Sequence, residues 1–91
     1  MSGGRWTSST LRRQIGARLR ELRTEAGITS QEKLAEKAGV HRTYIGRLER
    51  GESGVTVDML ATILAAIPTN LSHFCEPFTK IRRPRTPRRR D

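Results

Sequence analysis

Basic side chains are the groups in this 91-residue chain most able to do chemistry. Lys and Arg number 18 against 9 Asp and Glu, a net charge of +9 with neutral histidine. A surplus of that size favours a polyanionic partner, either nucleic acid or an anionic membrane surface. It is not evenly spread. Residues 79–91 hold Lys80, Arg82, Arg83, Arg85, Arg88, Arg89 and Arg90 against Asp91 alone, a net +6, while the other 78 residues carry 11 basic and 8 acidic groups, a net +3. The groups that do covalent or metal chemistry are few and scattered. The single cysteine, Cys75, makes no internal disulfide and supplies no zinc site by itself. His41 has no second ligand near it in the sequence. No catalytic centre, metal site or cofactor is expected.

The elements that must position these charges read as helices. The apolar residues Leu11, Ile15, Leu19 and Leu22 recur at helical spacing, with Ser9 or Thr10 as cap and Gly27 as a left-handed stop. A second helix is expected from about Ser30 to Ala38, capped by Ser30 and stopped by Gly39, and a third from about Arg42 to Arg50, with His41 at its cap position. Thr56 caps a fourth helix carrying Met59, Leu60, Ile63, Leu64 and Ile67, which Pro68 ends. A short fifth helix runs from Asn70 or Leu71 to about Cys75, and Pro77 closes the domain. There is no strand-like alternation, so the expected class is all-α. Residues 1–9 read as a flexible arm, 10–78 as one domain and 79–91 as a disordered basic tail, because Pro84 and Pro87 among arginines leave no apolar face to bury. The longest apolar run, Met59 to Ile67, is broken by Thr62 and falls short of the ~20 residues a membrane span needs. No signal peptide is read at the N-terminus, and the one cysteine suits a reducing, cytoplasmic setting.

The informative segment is QEKLAEKAGVHRTYIGRLER, Gln31 to Arg50. Two short helices meet across a tight turn at Gly39–His41. Ala35 is small where the helices would cross, Gly39 takes a positive φ without steric cost, and Val40, Ile45 and Leu48 fill the wedge between them. This is a helix-turn-helix, whose second helix enters the major groove of DNA.

Together, IGARLRELRTEAG, QEKLAEKAGVHRTYIGRLERGE and TVDMLATILAAI resemble the phage-repressor type of helix-turn-helix domain, the xenobiotic-response-element family, over about residues 14–76. HRTYIGRLERG is similar, more narrowly, to the controller proteins of restriction–modification systems. The resemblance implies a five-helix lambda-repressor-like fold that binds double-stranded DNA. It places Arg42, Thr43 and Arg47 on base edges, where arginine suits guanine O6 and N7. Gly46, between them on the exposed face, permits close approach. Gln31, His41, Arg50 and Ser53 fall at backbone-phosphate positions, and Arg23 and Glu49 match a structural ion pair between the first and third helices. Three departures stand out: GITSQ carries an extra residue, Pro68 replaces a more usual glycine, and Glu52 is acidic where relatives often carry a basic or amide residue.

The apolar residues of the fourth helix exceed what one side of a small core needs. Met59, Ile63, Ile67 and Phe74 are therefore expected to continue onto a second copy, as a homodimer. A two-fold dimer sets two third helices on half-sites roughly 34 Å apart. The expected function is a sequence-specific transcriptional regulator on a pseudo-palindromic operator, and not an enzyme. The alternative is a protein-interaction module on the same fold, as in antitoxins and adaptors. The scarcity of aromatics disfavours RNA binding.

Overall fold

The computed structural model describes residues 8–80. Five helices follow one another: α1 (Ser8–Glu25), α2 (Gln31–Ala38), α3 (Arg42–Glu49), α4 (Val57–Ala66) and α5 (Leu71–Cys75), the last running into a 3-10 turn at Glu76–Lys80. Among the described residues there is no strand. The helix starts follow local capping chemistry. The side chains of Ser30, Thr56 and Asn70 accept from the backbone N–H groups of Lys33, Met59 and His73, which satisfies a donor that each helix start leaves without a partner. The helix α1 begins at Ser8, ahead of the expected cap, and the chain continues as a helical turn through Pro77. Residues 1–7 and 81–91, which hold most of the arm and the basic tail, lie outside the described residues.

The core joins all five helices. Leu19 and Leu22 come from α1, Leu34 and Ala35 from α2, Ile45 and Leu48 from α3, Leu60, Ile63 and Leu64 from α4, and Phe74 from α5, with Ile28 and Ile67 from the connections. This corrects the expected dimer face. Ile63, Ile67 and Phe74 are essentially sealed inside the chain's own core, and only Met59 of the four is left partly exposed. The physical reason is closure by α5, which brings Phe74 back over the other helices. Leu11, expected on the inner stripe of α1, stands at the surface instead.

Two contacts set the helix packing. Gly16 lets α1 approach α3 closely: a Cβ there would overlap the carbonyl oxygen of Leu48 and come within 2.7 Å of that of Glu49. The buried Arg18 guanidinium donates to the carbonyls of Phe74 (2.9 Å) and His73 (2.6 Å), which staples α1 to the end of α5, while Glu21 accepts its third bond at 3.0 Å. Carbonyls at a helix end lack intrahelical partners, so this staple compensates both the buried charge and the short helix.

Candidate nucleic-acid interface

The turn between α2 and α3 is built around Gly39 at φ 75°, in the left-handed region. The N–H of Gly39 donates to Glu36 and that of Val40 to Ala35, so the end of α2 is tied off before α3 begins. His41 occupies the N-cap position of α3, but its side chain makes no capping bond and stays exposed. Ile45 and Leu48 anchor α3 in the core. The opposite side of the helix presents Arg42, Thr43 and Arg47 to solvent, with Tyr44 half-buried beside them.

Beneath that face lies a charged network. Glu49, with 2% of its side chain exposed, accepts from Arg23 Nε at 2.7 Å and from Arg23 Nη2 at 3.1 Å. Its Oε1 also accepts from Gln31 Nε2 at 2.9 Å. The remaining Arg23 bond goes to the carbonyl of Ile28 at 3.0 Å. One carboxylate thus fixes α1, α2 and α3 together, and the ion pair expected between Arg23 and Glu49 is present. Gln31 is held at the start of α2 despite the longer loop before it. Its amide has one N–H engaged with Glu49 and a second N–H left to donate.

Gln31, Glu32, Arg42, Thr43, Gly46 and Arg50 line one open groove on this face. The groove gathers candidates expected to touch bases with candidates expected to touch phosphate. Arg47 stands outside it, exposed, on the next turn of α3. Ser53 is half-buried in the loop that follows. Gly46 departs from expectation. It is buried, and a Cβ there would stand 3.0 Å from Gln31 Oε1 and 3.1 Å from Arg50 Nη1. Its smallness makes room for those two side chains.

The pairing of the face's arginines with carboxylates was not foreseen. Arg42 lies 3.9 Å from Glu32, with both side chains more than two-thirds exposed. Arg50 grips Glu52 through two bonds, Nε to Oε2 at 2.8 Å and Nη2 to Oε1 at 3.1 Å. The hydrogen bond and then the charge of Glu52 raise the pKa of Arg50 above its ordinary value. The same hydrogen bond holds the Glu52 carboxyl below the usual range, with Arg50 and Arg47 charges adding to it. Arg12 and Arg13 of α1 also reach this edge, Arg13 packing over Gly51 and Arg12 over Gly54.

The helix-turn-helix family profile matches residues 19–74. The chain belongs to the helix-turn-helix family. Control protein C.BamHI of Bacillus amyloliquefaciens is 37% identical over 60 residues, which cover 66% of this chain and 74% of that protein. Control protein C.SmaI of Serratia marcescens is 50% identical over 42 residues, 46% of this chain and half of that protein. Among solved structures, the restriction-modification controller protein C.AhdI from Aeromonas hydrophila superposes with a TM-score of 0.71 at 33% identity, covering 76% of this chain and 99% of that one. Family membership makes this helix-turn-helix protein a DNA-binding transcriptional regulator and not an enzyme. Among its described residues no helix is long and apolar enough to cross a membrane.

Proposed function

We propose that this helix-turn-helix protein is a controller-type regulator that binds a pseudo-palindromic operator as a homodimer, each copy laying α3 in the major groove of one half-site. The observation that carries the reading is the division of labour on α3: Ile45 and Leu48 anchor it, while Arg42, Thr43 and Arg47 face outward. In this reading Arg42 and Arg47 take guanine edges and Thr43 a base donor or a thymine methyl. Gln31, Arg50, Ser53 and His41 set the register on the phosphates. An eight-residue helix is about 12 Å long and reads one short half-site, which is why two copies are needed. With Ile63, Ile67 and Phe74 internal, Met59 is the member of the original apolar set still available to the partner.

Selection of bound sites from a random DNA pool at physiological salt tests this directly. A palindromic consensus is the expected result. Arg42→Ala then relaxes the preference at one position of each half-site, by about 1–3 kcal/mol for a guanine contact. Removal of residues 79–91 weakens binding to all sequences and flattens the salt dependence, since those charges neutralise phosphate without reading bases. No enriched sequence, together with a stably co-purifying protein, would instead make the fold an interaction module. An unchanged preference in Arg42→Ala would remove α3 as the reading helix.

A further inference from the structure

A surface that meets DNA has little use for carboxylates, yet this one carries two. The Glu32–Arg42 contact, at 3.9 Å between exposed side chains, is loose. The Glu52–Arg50 contact is different in kind. Both carboxylate oxygens meet the guanidinium fork, at 2.8 and 3.1 Å. That parallel two-bond geometry is the one in which arginine also takes a phosphate. Arg50 lies in the groove with Arg42 and Thr43, so the site Glu52 occupies adjoins the base-reading residues.

We propose that Glu52 is an internal stand-in for a DNA phosphate, which occupies Arg50 in the free protein and must be displaced when DNA binds. The proposal rests on the DNA-binding reading above, with Arg50 as a backbone contact. Glu52 lowers affinity in two ways. Arg50 gives up an existing pair to gain the phosphate, and the displaced carboxylate is left close to a negatively charged backbone. Because phosphate is the same in every sequence, the penalty falls equally on random DNA and on the operator. Phosphate attraction alone then holds the protein less firmly, and the base contacts of Arg42, Thr43 and Arg47 are required for occupancy.

The test uses the full chain with Glu52→Gln, Glu32→Gln, Arg50→Ala and the double variant Arg50→Ala with Glu52→Gln. Titrations are made against a random-sequence duplex and a selected-site duplex over a range of salt. Thermal melts check folding, which should be unaffected because Arg50 and Glu52 are both about half exposed. Glu52→Gln is expected to tighten binding to both duplexes by the same factor, about 5-fold, on the scale of one exposed ion pair and one relieved repulsion. It should also steepen the logarithmic salt dependence by about one unit. Glu32→Gln makes the same charge change on the same face and should do distinctly less. In the Arg50→Ala background the Glu52→Gln gain should shrink to the relieved repulsion alone, a clearly smaller factor than in the native background. Unchanged affinity, an equal gain from Glu32→Gln, a gain undiminished by loss of Arg50, or a gain confined to the selected site would each overturn the proposal. If the native chain binds neither duplex, the DNA reading falls and takes the proposal with it. If the native chain binds and Glu52→Gln behaves like it, the DNA reading stands and only the stand-in is refuted.

Discussion

Replacing Glu49 by alanine takes away one carboxylate that serves three N–H donors on two other helices. Arg23 loses both bonds to it, at 2.7 and 3.1 Å, and keeps only the carbonyl of Ile28. Its side chain is 5% exposed, so water does not replace what is lost. Breaking one half of a buried pair costs about 3–5 kcal/mol, most of it the stranded charge. A domain of this size holds roughly 5–10 kcal/mol in total, so a large share of its stability goes. Urea unfolding at 25 °C reads the change. With a slope of about 1 kcal/mol per molar for so small a protein, the midpoint should fall by about 3 M or more. A second variant separates the stranded charge from the pair itself. Arg23→Met combined with Glu49→Leu removes both charges and should regain most of the loss, since an apolar replacement of a buried pair is often neutral or better. A midpoint shift worth less than about 1 kcal/mol in Glu49→Ala is the size expected of a solvated surface pair. It would refute the view that this carboxylate closes the interface of α1, α2 and α3.

Other outcomes follow from single contacts. Gly16→Ala should destabilise by about 1–3 kcal/mol in the same assay, because the new methyl group overlaps α3 carbonyls that are backbone and do not yield cheaply. Ile63→Ala should cost about 2–5 kcal/mol of folding stability as a core cavity, by the same amount at every protein concentration; a loss confined to self-association would restore it to a dimer face. Arg18→Met should lower the melting temperature by unpairing the end of α5, and hydrogen exchange should rise first at His73 to Cys75. A carboxyl NMR titration of Glu52 should give a midpoint below the ordinary glutamate value of about 4.3. The sign follows from that: the pair's contribution is full above the unfolded value and is lost as pH falls through the lowered folded value.

What the sequence made legible was local or stereotyped. Ser30 and Thr56 cap their helices because capping depends on residues three apart. Gly39 was readable because few residues other than glycine suit the turn it occupies. Arg23 and Glu49 came from the resemblance and stand as a pair in the structure. Contacts between distant segments were not legible. Arg18 meets carbonyls 55 and 56 residues away, and no periodicity announces that. Ile63, Ile67 and Phe74 looked surplus because counting apolar residues on one helix ignores the neighbours that close over them. Gly46 looked exposed by helical phase, yet Gln31 and Arg50 lie across it. The Glu52–Arg50 pair was not legible because both residues lie past the end of α3, where helical spacing no longer says which side chains meet.

The side chains of Thr43 and Arg47 make no hydrogen bond or ion pair among the described residues, and that of Arg42 makes only the loose contact with Glu32. The three side chains proposed to read bases are therefore little encumbered by the scaffold. On the proposed reading, a lineage carrying this fold is free to drift to a new operator by changing those three positions at little cost in folding stability. Gln31 and Gly46 are not free in this sense, since one is tied to Glu49 and the other lies under two side chains. Diversification among descendants should accordingly run along one rim of α3 and stop at the network beneath it.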